Sequence, residues 1–162
     1  MKPDFKESKL DLMPDGWYEA LITDGKTDVT RSAEERWRLT LEIQGVLESK
    51  QMELALKKKG VVIEDVLVDG DSDFWRKKIR SFMRAAFPEM EQEAKDAGEG
   101  YEAPELTAED TVGRRVGVQI SIADGNPQYD EASKVNRCWR YKAIGAPTPG
   151  AEAEAAEDSD II

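Results

Sequence analysis

Hydrophobic and polar residues alternate along five short stretches of the chain, which is the pattern of half-buried β-strands. The clearest stretch is 36–43, where Trp37, Leu39, Leu41 and Ile43 occupy every second position and polar residues fill the others. Turn residues such as Gly and Pro separate several of the stretches. The sequence therefore predicts strands at 17–23, 36–43, 61–68, 115–123 and 135–143.

A helical pattern replaces this alternation between the third and fourth strands. Ser72 or Asp73 is predicted to cap a helix that runs to about Ala86. Pro88 and Gly98 bracket a second, highly charged helix in the positions where helices begin and end. The apolar stripe predicted for the first helix consists of Trp75, Ile79, Phe82, Met83 and Ala86.

Two other stretches have less regular patterns. Residues 24–35 are polar and are predicted to form a loop, whereas residues 45–60 fit either a strand or a short helix. Thr107–Asp110 is typical of a capped turn before the fourth strand.

The order of three strands, a helix and two strands predicts a mainly β fold. It is the connectivity of an OB-fold, a five-stranded Greek-key barrel with a helix between strands three and four. The pattern also allows another small β-barrel. The expected organisation is an N-terminal arm at 1–13, one domain at 14–144, and a disordered acidic tail at 145–162.

Composition excludes several classes of protein. The 162 residues suit one domain, and no apolar run is long enough to span a membrane or to act as a secretory signal. The chain has no histidine and one cysteine, Cys138, which excludes His/Cys zinc sites and Ser–His or Cys–His catalytic pairs. A lone cysteine also suits the reducing cytoplasm, the predicted location.

Residues 69–73 have the alternating aspartates that open a calcium-binding loop. Phe74 and Arg80 occupy the positions where such a loop needs Gly and Glu, so the match fails. The Glu48-x-Lys50 pair of a metal-dependent nuclease lacks a partner Asp on a neighbouring strand. We therefore predict no catalytic residue, no metal site, no cofactor and no enzymatic activity.

The net charge of -11 argues against a nucleic-acid partner at first sight. However, residues 150–162 contain five acidic side chains and no basic one. The remaining chain is less acidic and can carry a local basic groove. The distribution of charge therefore matters more than its total.

Basic and aromatic residues interleave on the last predicted strand, as binding to single-stranded nucleic acid requires. Strict alternation places Arg137, Trp139 and Tyr141 on one face and turns Cys138 inward. The alternative is that Trp139 and Tyr141 are core residues. The candidate DNA-binding residues are Arg36, Arg38, Tyr129, Lys134, Arg137, Trp139 and Tyr141.

The last residues of the tail combine acidic and apolar side chains. Asp158, Asp160, Ile161 and Ile162 suit a peptide ligand for a basic, hydrophobic pocket of a partner protein. The alternative interpretation is a tail that only increases solubility.

Three segments, 15–22, 37–43 and 111–118, resemble a family of bacteriophage single-stranded DNA-binding proteins with OB-folds. The tail is similar in kind to that of bacterial single-stranded DNA-binding proteins, although it ends in Ile161–Ile162 where those end in Pro-Phe. The resemblance implies a sequence-independent single-stranded DNA-binding protein of phage replication or recombination. It would act in the host cytoplasm, with a tail that recruits replication or recombination proteins.

Other functions remain open at this stage. The charge of -11 motivates an acidic protein-binding module, or a DNA mimic that inhibits a host nucleic-acid enzyme. A metal-dependent enzyme is a third and weaker hypothesis. The sequence is compatible with a homo-oligomer but does not specify one.

Overall fold

A five-stranded antiparallel sheet organises the computed structural model, which describes residues 12–129, 131 and 133–145. The sheet order is β3-β2-β1-β4-β5, so β3 and β5 form its two edges. The prediction of a mainly β fold with five strands is confirmed. The strands are β1 (Gly16–Val29), β2 (Glu35–Ser49), β3 (Val62–Val68), β4 (Arg115–Asp124) and β5 (Lys134–Lys142).

The described residues also form three α-helices: α1 (Met52–Leu56), α2 (Asp73–Ala86) and α3 (Pro88–Ala97). The predicted start of α2 is confirmed, because the Ser72 hydroxyl accepts a hydrogen bond of 3.2 Å from the backbone N–H of Trp75. The predicted second helix is confirmed as α3. Short 3₁₀ segments lie at Gly98–Gly100, Ala108–Thr111 and Pro127–Tyr129.

The hairpin of β1 and β2 is longer than predicted. Residues 24–29 were expected in a loop, but they continue β1 and pair with residues 35–40 of β2. At Gly25 a Cβ atom would lie 2.3 Å from the carbonyl oxygen of Ala108, so only glycine fits this close approach. Residues 45–60 combine both predicted possibilities, since β2 continues to Ser49 and α1 follows it.

The hydrophobic core lies between one face of the sheet and α2. Its largest fully buried side chains include Tyr18, Phe82, Leu39 and Leu41. The prediction that Trp37 belongs to the core is confirmed, since its side chain is buried. Trp75 was predicted in the core as well and is only half-buried.

Met13, which was assigned to the predicted arm, packs into the core of the domain. Met13 is fully buried, and its backbone N–H donates a 2.8 Å hydrogen bond to Oδ1 of Asn136 on β5. Residues 1–11 of the predicted arm and residues 146–162 of the predicted tail lie outside the described residues. Within the described residues, no helix is both long enough and apolar enough to cross a membrane.

A buried polar network links the two edge strands of the sheet to α2. Lys78 of α2 donates a hydrogen bond of 2.8 Å from Nζ to Oδ1 of Asp65 on β3. The hydroxyl of Tyr141 on β5 donates to the other oxygen of the same carboxylate. All three side chains are buried, so α2 closes the space between β3 and β5 with polar as well as apolar contacts.

Candidate nucleic-acid interface

A β-bulge on β5 determines which side chains of this strand reach the surface. Gln119 of β4 pairs with Arg140, whereas its neighbour Ile120 pairs with Cys138. Trp139 therefore has no partner across the ladder. Because one extra residue interrupts the alternation, Cys138 and Tyr141 both point into the core, and Trp139 between them points outward.

The prediction that Tyr141 shares the outer face with Trp139 is wrong. Its side chain is only 3% exposed. Its ring packs edge-on against Phe82, with ring centroids 4.9 Å apart, and burial raises the pKa of its hydroxyl well above the usual value. A ring in this position offers no face to a base. The alternative of a core residue is correct for Tyr141 and incorrect for Trp139, and the inward orientation of Cys138 is confirmed.

Trp139 forms one wall of a surface cleft between β5 and the first turns of α2. Its indole is 40% exposed and donates a 2.5 Å hydrogen bond from Nε1 to the hydroxyl of Ser121 on β4. Phe74, 46% exposed, meets this ring edge-on at a centroid distance of 6.3 Å. The aromatic cleft has a volume of about 250 Å³ and is lined by Phe74, Lys77, Lys78, Ser81, Trp139 and Arg140.

Three cations and no carboxylate line the aromatic cleft. The ammonium of Lys78 turns inward to Asp65, so its charge is already balanced. Lys77 is exposed and makes no ion pair with any residue that the structure describes. Arg140 is half-buried at the opposite side of the cleft. The cleft thus joins two exposed aromatic rings to the exposed ammonium of Lys77.

The two predicted arginines of β2 do not line this cleft, which is built from residues of α2 and β5. Both pair with Asp28 on β1: Arg36 through hydrogen bonds of 2.7 and 2.9 Å, and Arg38 through one of 3.0 Å. The hydrogen bond from Arg36 is the main cause of the lowered pKa of Asp28. A phosphate would therefore compete with a carboxylate for these two cations.

The other predicted residues lie around the connection between β4 and β5. Lys134 pairs with Asp124, and Arg137 holds both oxygens of Glu131 at 2.8 and 3.0 Å. The hydrogen bond from Arg137 is the main cause of the lowered pKa of Glu131. Tyr129 is the most exposed large apolar side chain of the described residues.

Sequence reasoning missed three side chains of the aromatic cleft. Lys77 and Arg140 were not among the candidate DNA-binding residues of the sequence. Phe74 had a usable signal, because it is a large aromatic residue outside the apolar stripe predicted for α2. The tail residues Asp158, Asp160, Ile161 and Ile162 lie outside the described residues.

No group of three or more Cys, Asp or Glu side chains within the described residues is arranged to hold a metal ion. No protein-family model matches the chain, and no curated protein matches it at a significant level. The geometry of the aromatic cleft is therefore the main basis for a functional hypothesis.

Proposed function

We propose that the protein binds single-stranded DNA without sequence preference and catalyses no reaction. The observation that carries this proposal is the aromatic cleft, in which exposed Trp139 and Phe74 stand beside Lys77 and Arg140. Every base has a π face, so stacking on exposed rings tolerates any sequence, while nearby cations bind the phosphates. In a duplex the bases already stack on one another and cannot reach the two rings.

The strand connectivity supports an OB-fold as the scaffold of this site. β1 pairs with both β2 and β4, the edges β3 and β5 approach through Asp65 and Tyr141, and α2 follows β3. This connectivity is that of an OB-fold, a fold that often binds oligonucleotides. The resemblance to bacteriophage single-stranded DNA-binding proteins adds a role in phage replication or recombination, in the cytoplasm of the host.

Titration of labelled oligonucleotides tests this function. We expect the protein to bind an unstructured single strand much more tightly than a duplex of the same length. The affinity should fall as salt increases, because bound phosphates release their counterions. A charge-reversal variant, Lys77→Glu, should weaken this binding and leave the melting temperature unchanged. Equal binding of both forms, or no binding at low salt, would instead favour the acidic protein-binding module or DNA-mimic inhibitor.

The acidic tail leads to a second prediction. Residues 150–162 carry five acidic and no basic side chains, so the tail should compete weakly with DNA for the basic surface. Deletion of 152–162 should raise the affinity for single-stranded DNA at low salt, and this gain should shrink as salt screens the charges. The same deletion should abolish capture of replication or recombination proteins in a pull-down. A second variant, Ile161→Ser with Ile162→Ser, keeps the charge of the tail and should also abolish this capture.

A truncated chain that still captures the same proteins would assign the tail to solubility alone. Unfolding in urea should be the same for the full and truncated chains, since a short acidic segment rich in alanine buries too little surface to add stability.

A further inference from the structure

An apolar groove of about 450 Å³ borders α2 on a different side from the aromatic cleft. Met83 and Phe87 come from α2 and the residue after it, and the segment that follows α3 supplies the other wall. We name this feature the acidic groove. The apolar side chains that line it include Trp37, Met83, Phe87, Met90, Tyr101 and Leu106.

Acidic side chains dominate the rim of this groove. Glu35, Asp69, Glu91 and Glu105 lie on it, against two arginines. One of these, Arg84, already binds Glu91 at 2.6 Å. The segment 88–106 that forms one wall carries seven acidic residues and one lysine. An occupant of the groove should therefore be apolar at its centre and basic around it.

This chain exposes such a segment at α1. Only Ala55 of the helix is buried, whereas Met52, Leu54 and Leu56 are exposed at 40%, 45% and 59%. Residues 50–59 contain four lysines and one glutamate, and none of the lysines forms an ion pair with a described residue. We name residues 50–59 the basic knob. An exposed apolar patch that is rimmed by charged residues is typical of an interaction site.

The acidic groove and the basic knob lie at separate points along β2. β2 begins at Glu35, on the groove, whereas the knob follows Ser49 and folds back to Ile43, whose carbonyl accepts a hydrogen bond from the backbone N–H of Gly60. At about 3.3 Å per residue, the stretch of β2 from Glu35 to Ile43 spans roughly 25 Å. A single copy therefore cannot fill its own groove with its own knob. Two copies can form one such contact, which continues head to tail, or two reciprocal contacts, which close a symmetric dimer.

We propose that the basic knob of one copy docks in the acidic groove of the next copy. Met52 and Leu56, which are four residues apart and share one side of α1, enter the apolar floor beside Met90, and the lysines that follow them meet the acidic rim. The contact leaves the aromatic cleft free, because the cleft uses Phe74 and Lys77 near the start of α2. Self-association of this kind is independent of DNA binding.

Sedimentation equilibrium of the full chain tests the proposal. The average mass should rise with protein concentration and fall with added salt, because the contact is partly electrostatic. A knob variant, Met52→Ser with Leu56→Ser, and a groove variant, Ala94→Arg, should each remain monomeric. Both changes should leave the melting temperature intact, since Met52 and Leu56 are exposed and α3 has no fully buried residue. Glu105→Lys repeats the groove test at an exposed rim position.

Mixing the two variants distinguishes a knob-to-groove contact from a contact between two identical surfaces. The knob variant keeps a working groove and the groove variant keeps a working knob, so an equimolar mixture should form dimers and nothing larger. A wild-type chain that stays monomeric at every concentration would overturn the proposal. Assembly that survives both groove substitutions, or a mixture that stays monomeric, would overturn it as well. Lys77→Glu should weaken DNA binding and leave self-association unchanged. Failure of the DNA-binding proposal can therefore be distinguished from failure of the self-association proposal.

Discussion

Lys78→Met should lower the free energy of unfolding by about 3–5 kcal/mol, because it leaves a buried carboxylate without its counter-charge. Lys78 is 5% exposed, and its ammonium lies 2.8 Å from Asp65, which is 8% exposed. After the substitution the hydroxyl of Tyr141 would still donate to this carboxylate, but no positive charge would balance it among its described hydrogen-bond partners. Since the three residues come from α2, β3 and β5, the loss should loosen the contact between the helix and both sheet edges. Urea unfolding of the purified protein measures the effect.

The neighbouring position provides a matched control. Lys77→Met makes the same chemical change on the same helix at an exposed site, and it should alter stability by less than about 0.5 kcal/mol. A triple variant, Lys78→Met with Asp65→Leu and Tyr141→Phe, replaces the whole network by apolar groups. It should recover most of the lost stability, since buried ion pairs are often matched by apolar residues of similar volume. Equal effects of Lys77→Met and Lys78→Met would show that the network does not stabilise the fold.

This network also illustrates what periodicity cannot predict. A lysine among five basic residues on one helix is expected to face solvent, and nothing near Lys78 in the sequence indicates otherwise. Its partner Asp65 lies 13 residues away along the chain, and Tyr141, which bonds to the same carboxylate, lies 63 residues away. Only the folded topology brings the three residues together. The helix itself was predictable, because its cap at Ser72 and its apolar stripe are local features.

The strands show the same division between local and long-range information. Their existence and order follow from alternation, and the predicted five strands are all present. The extension of β1 to Val29 was missed because residues 24–29 have no apolar alternation, and pairing with β2 stabilises them instead. The bulge at Trp139 was missed for a different reason: an extra residue shifts the alternation by one position without changing the composition.

The candidate site was accordingly predicted in part. Trp139 was placed on the surface correctly, but its expected partner Tyr141 lies in the core. The aromatic residue that does accompany it, Phe74, belongs to another element 65 positions earlier. Predicted cations such as Arg36 and Arg137 are engaged by Asp28 and Glu131, pairings that depend on the register of the strands and the loop.

Trp139→Ala should weaken binding of single-stranded DNA by ~1–3 kcal/mol, if one base stacks on this ring. This corresponds to a loss of roughly 5- to 150-fold in affinity. The fold should survive, because the indole is 40% exposed and its one hydrogen bond goes to the hydroxyl of Ser121. Phe74→Ala should weaken binding in the same direction, and Trp139→Phe should retain most of the affinity because a stacking plane remains. Fluorescence titration with an unstructured oligonucleotide measures all three variants.

Stability measured on the same samples separates stacking from packing. Tyr141→Ala removes a ring that is buried on the same strand, so it should cost about 3–5 kcal/mol of stability. Trp139→Ala should cost far less and should change the affinity instead. The opposite result, a large loss of stability with unchanged binding, would show that Trp139 supports the bulge and does not contact DNA. Arg38→Ala, at a cation that is engaged by Asp28 and does not line the cleft, should change affinity less than Lys77→Ala does.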